Sequence, residues 1–310
     1  MQLRSDFFEE EIICDHTVTP FQKRIWAVLL NLLNEFDIFC KKYDLKYFAA
    51  YGTILGAERH KGFVPWDDDL DVQMMRDEYA RMQPLAREYF APPNPIVYED
   101  AYCDEIPDHL YFAKLRDTRT TVAEKQMIER GQFTGMFLDI FPRDAVYDGT
   151  EESKRMMGIR NELWMAITEP ERVRDLIVNK GNISLTGNDT LLEIIKFGMK
   201  EKFSFFEEYL LSIFPNTTMV GDLYETLKYK GKRDTPRKWF RETLMLPFEG
   251  LSVPVPVDYK KFLELQYGDY MTPRKAGTCH SGMFLDPDTP FEEYLSGRKK
   301  MSDMPDYQSI

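Results

Sequence analysis

Cysteine and histidine are scarce in this chain of 310 residues, four of each. Cys14, Cys40, Cys103 and Cys279 lie far apart, with no CxxC pair and no Cys/His cluster. That spacing excludes a zinc ribbon or finger and gives no disulfide framework. Positive charge is in deficit too: 40 Lys and Arg against 52 Asp and Glu leave a formal charge of −12. A broad nucleic-acid surface needs basic patches to release counterions. That class is disfavoured, whereas a nucleotide held by a few local Arg and Lys side chains is not. No run of about 20 apolar residues is available for a membrane span. No basic amphipathic helix is evident for firm membrane attachment. The opening residues, MQLRSDFFEEEII, are acidic and lack the apolar run of a signal peptide. Repeats and low-complexity blocks are also missing. The expectation is a reduced, soluble, cytoplasmic protein, with work at the inner face of the membrane left open.

What is present is a globular composition, 43% hydrophobic and 14% aromatic, enough to bury a sizeable core. Residues 20–43 have helical spacing, with Thr19 as cap, Pro20 at the first helical position, and Ile25, Leu29, Leu32, Leu33 and Phe36 as an apolar stripe. A short strand is expected over 46–50, then a Gly52-Thr53 turn into a brief helix at 54–59. Residues 76–90 read as a helix, 110–116 and 120–125 as a hairpin, and 135–141 as a strand closed by Pro142. Between 151 and 214 the pattern is helical. From 243 to 257 it returns to a hairpin turning at Glu249-Gly250, followed by a helix over 259–267. These readings predict an α/β (α+β) fold with three parts. They are a catalytic core over 1–148, an inserted helical subdomain over 149–240, and a hairpin, helix and tail over 241–310 that complete the core.

The stretch at 51–72, YGTILGAERHKGFVPWDDDLDV, carries the chemistry. Asp67, Asp69 and Asp71 alternate, with Leu70 and Val72 between and after them. On a strand those three would share one face, with Asp68 on the other. Carboxylates stacked in that way repel unless a cation sits among them. Hard divalent ions such as Mg²⁺ take oxygen ligands together with substrate phosphates. A solvated acidic loop is the plain alternative, opposed by Phe63, Val64, Trp66, Leu70 and Val72 among the charges. An EF-hand calcium loop matches at Asp67, Asp69, Asp71 and Glu78, but it places Val72 where that loop needs glycine. The third reading is a nucleotidyltransferase-type site. Gly52-Thr53 at the start of a short helix would hold phosphate, Asp69 and Asp71 would hold metal, and Asp139 from a neighbouring strand would complete the cluster.

At these residues the chain resembles the LicD family, phosphocholine transferases of the nucleotidyltransferase superfamily related to fukutin and fukutin-related protein. The matching strings are GTILGAERH at 52–60 and PWDDDLD at 65–71. Further matches are KLRDTRTT at 114–121, FLDIFPRD at 137–144, and FEGLSVPVPVDYKKFLELQYGDYM at 248–271. The helical middle is largely unmatched. The resemblance implies a small mixed sheet flanked by helices. It also implies transfer of a phospho-alcohol, typically phosphocholine from CDP-choline, to a sugar hydroxyl of a surface-glycan, teichoic-acid or lipopolysaccharide precursor.

The expected roles follow. Asp69, Asp71 and Asp139 are the candidate catalytic residues, holding one or two Mg²⁺ ions (with Mn²⁺ as a substitute), and Asp67 supports the cluster from the edge. Lys114 and Arg116, on one strand face, suit two contacts on a diphosphate. Arg59 and Lys61 are further candidates. His60 and His280 are candidate bases or phosphate ligands. Trp66 could face a base or a quaternary ammonium group. For each of these the alternative is structural: a surface salt bridge for the cations, a packed ring for the others. Two other functions stay open, a nucleotidyltransferase adding NMP to a small acceptor and a non-catalytic nucleotide- or metal-binding scaffold.

Overall fold

The computed structural model describes residues 3–103, 111–181, 184–275 and 283–301. A small hairpin, β1 (Glu11–Ile13) and β2 (His16–Val18), leads into the long helix α1 (Pro20–Lys42). Thr19 Oγ1 accepts the Gln22 amide at 3.2 Å, a cap that contributes about 1 kcal/mol. The apolar stripe of α1 is fully buried and packs on the sheet strands β6 (Ala113–Ala123) and β7 (Thr134–Ala145). Each of its buried leucines and phenylalanines contributes on the order of 1.5–3 kcal/mol.

Between α1 and β6 the chain forms β3 (Phe48–Ala49), α2 (Tyr51–Arg59), β4 (Asp71–Met75), α3 (Arg76–Tyr89) and β5 (Ile96–Glu99). β4 lies antiparallel to β3 and parallel to β7, and β7 lies antiparallel to β6, with β5 on the far side of β6. The outcome is a mixed sheet with helices against it, an α+β fold. Two sequence expectations need correction here. The segments at 110–116 and 120–125 are not a hairpin but one strand, β6. Its register shifts between Asp117 and Val122, where Thr120 Oγ1 donates to Asp117 O and accepts the Met136 amide, so the strand bulges instead of reversing. Pro142 does not close the next strand either. Pairing with β6 stops at Ala113 opposite Ile140, while β4 stays paired through Met74 opposite Pro142, so the proline's missing N–H breaks no β6 ladder bond and β7 continues to Ala145.

Beyond β7 the chain is helical: after a short α4 (Lys125–Glu129) before β7 come α5 (Glu151–Thr168), α6 (Pro170–Lys180), α7 (Asn188–Ile194) and α8 (Met199–Ile213). Leu163, Ile167, Leu191, Phe203, Phe206 and Leu210 form a hydrophobic cluster of their own. It is tied to the sheet by a buried ion pair, Arg76 with Asp144, beside Glu207 of α8. β8 (Met219–Gly221), α9 (Leu223–Tyr229) and β9 (Thr235–Pro236) return the chain to the end of β7.

Asp222 starts α9, accepting the Glu225 amide and the Tyr111 hydroxyl. Burial pushes its carboxyl up to about 6 from an ordinary 3.8. In the window between those values the native chain holds more protons than the unfolded one, so this group's contribution to stability falls as pH rises. Asp222→Asn keeps the accepting oxygen and removes the charge. Urea unfolding should place the variant close to wild type at pH 4.5 and relatively more stable by about 1–3 kcal/mol at pH 7.5. A difference that does not grow with pH would rule this out.

The last part is the hairpin β10 (Thr243–Phe248) and β11 (Leu251–Pro256), then α10 (Tyr259–Tyr267), β12 (Phe284–Asp286) beside β6, and α11 (Phe291–Leu295). Glu249 and Gly250 both have positive φ, as a two-residue hairpin turn requires. Phe248, Val253, Val255 and Phe262 bury into the same core as α1 and β4. The turn docks on the motif loop: the Glu249 amide donates to Lys61 O at 2.8 Å. Its side chain lies so close to Gly62 that a Cβ there would sit 1.9 Å from Glu249 Oε1. Cys14, Cys40 and Cys103 are free thiols, and Cys279 lies outside the described residues. No described helix is long and apolar enough to cross a membrane.

Candidate active site

β4 begins at Asp71, not at Asp67; a turn at Pro65 and Trp66 is followed by irregular backbone over residues 67–70. The shared strand face expected for Asp67, Asp69 and Asp71 therefore does not exist. α1 imposes the turn from outside: Gln22 Nε2 donates to Pro65 O at 2.7 Å and Trp26 Nε1 to Asp67 O at 2.9 Å. Without a pleat, consecutive side chains need not alternate. Asp67, Asp68 and Asp69 each bring a carboxylate oxygen within 4.8 Å of the others, while Asp68 is buried and off the cavity that Asp67, Asp69 and Asp71 line.

Asp71 and Asp139 come together through sheet register. β4 and β7 run parallel with Asp71 directly beside Asp139, and β6 places Lys114 on the other side of Asp139. One row across three strands therefore reads Asp71, Asp139, Lys114. Lys114 Nζ donates to Asp139 Oδ1 at 2.6 Å, with its ammonium over the rings of Phe112 and Phe137. Burial lowers the Lys114 pKa against the pull of Asp139. The Asp139 amide donates to Leu70 O, and Thr53 Oγ1 accepts the Asp71 amide at 2.8 Å. Thr53 thus orients a carboxylate strand from inside α2. That helix begins at Tyr51, so Gly52 and Thr53 lie in its first turn and not in a turn before it. Gly52 leaves room for the Asp67 carboxylate: a Cβ there would stand 2.2 Å from Asp67 Oδ2 and displace it.

A cavity of about 350 Å³ opens over Asp67, Asp69 and Asp71, with Asp139 and Lys114 behind Asp71 and not among its lining residues. Asp67, Asp69 and Asp71 line its floor, and Tyr51, Gly52, Arg59 and Trp66 contribute from the motif. Trp66 is thus a wall residue, half-buried with its ring edge-on to His16. Arg59 divides its donors: Nε to His60 Nε2 at 2.8 Å and Nη1 to Tyr270 O at 3.0 Å. Burial and the neighbouring guanidinium push His60 down to about 4, so its ring is neutral at pH 7 with Nε2 occupied as an acceptor. That arrangement is structural. Lys61 is exposed and donates to Glu58 O. Arg116 is engaged by Glu99, Thr134 Oγ1 and Gly135 O, on the part of β6 beyond Lys114. His280 lies outside the described residues.

The sequence reading missed the opposite wall. Tyr267, Asp269, Tyr270, Thr272 and Arg274 line the cavity from the segment after α10. The string YGDYM belongs to the matched motifs, and two tyrosines bracketing an aspartate was the available signal. The donor set, carboxylate oxygens throughout, fits a hard divalent cation and not a thiophilic one.

A mixed sheet that presents carboxylates on adjacent strands beside a Gly-Thr helix start defines a nucleotidyltransferase-type domain. Residues 44–168 match the family model described as LicD/FKTN/FKRP, nucleotidyltransferase domain, and over those residues the chain is similar to the LicD family of transferases. It is 28% identical over 249 residues to the lipopolysaccharide cholinephosphotransferase LicD of Haemophilus influenzae, covering 79% of this chain and 89% of that protein. It is also 34% identical over 74 residues to an uncharacterized protein of Rickettsia prowazekii, covering 24% of this chain and 28% of that one. The family match contains Asp67, Asp68, Asp69, Asp71, Asp139 and Lys114, and it excludes the wall residues at 267–274.

Proposed function

We propose that this chain is a Mg²⁺-dependent transferase that moves phosphocholine from CDP-choline to a sugar hydroxyl of a cell-surface glycan precursor, releasing CMP on the cytoplasmic side of the membrane. The observation that carries the reading is the register of Asp71 beside Asp139, next to the Asp67–Asp69 cluster. The similarity to a lipopolysaccharide cholinephosphotransferase supports choline as the alcohol and lipopolysaccharide, ahead of teichoic acid, as the acceptor class.

Asp67, Asp69, Asp71 and Asp139 are the residues that would hold the cation. When bound, it neutralises diphosphate oxygens and the charge that builds up on the departing phosphate. The rest falls to this chain's own groups. Thr53 fixes Asp71, and Lys114 fixes Asp139. Arg59 and Arg274 face the anionic donor from two sides of the cavity. The sugar oxygen bonds to the phosphorus that carries choline. The bond from that phosphorus to the CMP oxygen breaks, and its electron pair leaves with CMP. The hydroxyl proton passes to a carboxylate of the cluster, for which Asp139 is the candidate.

The test combines binding and products. With Mg²⁺ present, CDP-choline should raise the melting temperature and EDTA should abolish the rise. Turnover should give CMP and a phosphocholine-bearing glycan. Pyrophosphate release from an NTP would instead establish nucleotidyl transfer. No stabilisation by any cytidine diphosphate donor would end the proposal.

A further inference from the structure

The cavity has two unlike walls. One is the motif; the other is residues 267–274, outside the matched domain. The start of α10, the helix that leads into that wall, is tied to α2, and so is Tyr270 within the wall. Glu58 accepts the Tyr259 hydroxyl at 2.9 Å and lies 3.6 Å from Lys260 Nζ, while Arg59 Nη1 holds Tyr270 O. Arg59 is therefore a positioning residue for the wall as well as a cation facing the cavity. Tyr267 is 38% exposed, and it lines the same cavity as Trp66, Asp67 and Asp71.

We propose that Trp66, Tyr267 and Tyr270 form the subsite for the donor's quaternary ammonium group, with Asp269 supplying negative charge at its rim, so that the segment after α10 sets the choice of alcohol. The assignment rests on the phosphocholine reading above. Its physical basis is reach. Choline is esterified to the phosphorus that is attacked, so its ammonium lies one ethylene unit from the carboxylates, whereas cytidine lies beyond the second phosphate. The aromatic residues that share a cavity wall with Asp67 and Asp71 are placed for the near group. Aromatic faces attract such cations through their quadrupole and take them without a hydrogen bond, which a trimethylammonium cannot donate. An alcohol of hydroxyl groups alone would find few partners on those rings.

The experiment measures affinity for CDP-choline, CDP-glycerol and CMP, each with Mg²⁺, in wild type, Tyr267→Leu, Tyr270→Leu and Tyr267→Phe. Expected is a loss of about 3- to 30-fold for CDP-choline in the two leucine variants. CMP should stay within about twofold and CDP-glycerol should be little changed; Tyr267→Phe should bind CDP-choline as wild type does. Retained CMP binding doubles as the check that the variants fold. An equal loss for CMP would show that the wall takes the base and would overturn the assignment, as would unchanged CDP-choline affinity in both leucine variants. Wild type that binds no cytidine donor would instead refute the transferase reading itself, and that result is visible before any variant is made.

Discussion

Asp71→Asn should abolish phosphocholine transfer, by on the order of a thousandfold or ~4 kcal/mol of transition-state stabilisation, while leaving the melting temperature nearly unchanged. Asn is isosteric with Asp, and the Asp71 backbone stays bonded to Thr53 Oγ1. What disappears is one anionic oxygen lining the cavity. Asp139→Asn should lose as much activity and, in contrast, lose stability as well. Its partner Lys114 is buried between Phe112 and Phe137, and neutralising Asp139 removes that ammonium's hydrogen-bonded counter-charge and leaves only the more distant Asp71. The pair of variants separates chemistry from folding. Rates from transfer assays and midpoints from urea unfolding would check both arms. Full activity in either variant would remove that carboxylate from the mechanism.

Arg76→Ala should cost about 3–5 kcal/mol of stability, the largest expected effect outside the site. Arg76 Nε and Nη2 donate to both oxygens of Asp144 at 2.6 and 2.9 Å, and the two side chains are 2% and 0% exposed. Truncation leaves a carboxylate with no access to water and severs the link from α3 to β7 and towards Glu207 on α8. A buried pair is not necessarily worth its desolvation, however. The double variant Arg76→Met with Asp144→Leu should recover much of the loss, since removing both charges removes the unpaired one. Denaturant midpoints for the two single variants and the double decide it. A double variant as unstable as the sum of the singles would show that the two residues act independently.

Several elements could be read directly from the chain. α1 announced itself through Thr19, Pro20 and a stripe at helical spacing, and α10 was delimited at both ends. The β10–β11 turn was legible because Glu249-Gly250 is a pair that tolerates positive φ. In each case the determinant lies within a few residues. The failures share a cause as well. β6 was split because Thr120 and Asp117 look like turn residues, yet their hydrogen bonds to β7 keep the strand extended. The strand after it was cut at Pro142 because nothing local shows that pairing with β6 has already stopped there.

The aspartate motif divides in the same way. Residue identity alone established the carboxylate-rich character of 67–71 and the resemblance to a transferase family. Which carboxylates meet was settled by distant contacts. Side chains of α1 hold residues 65–67 in place, which brings the Asp68 carboxylate near those of Asp67 and Asp69. The parallel register of β4 and β7 sets Asp71 beside Asp139, and the clamp from Glu58 and Arg59 brings Tyr267 and Tyr270 to the cavity. Chemical type is a property of one residue at a time, whereas convergence depends on which backbones lie side by side, and only packing of the whole chain decides that.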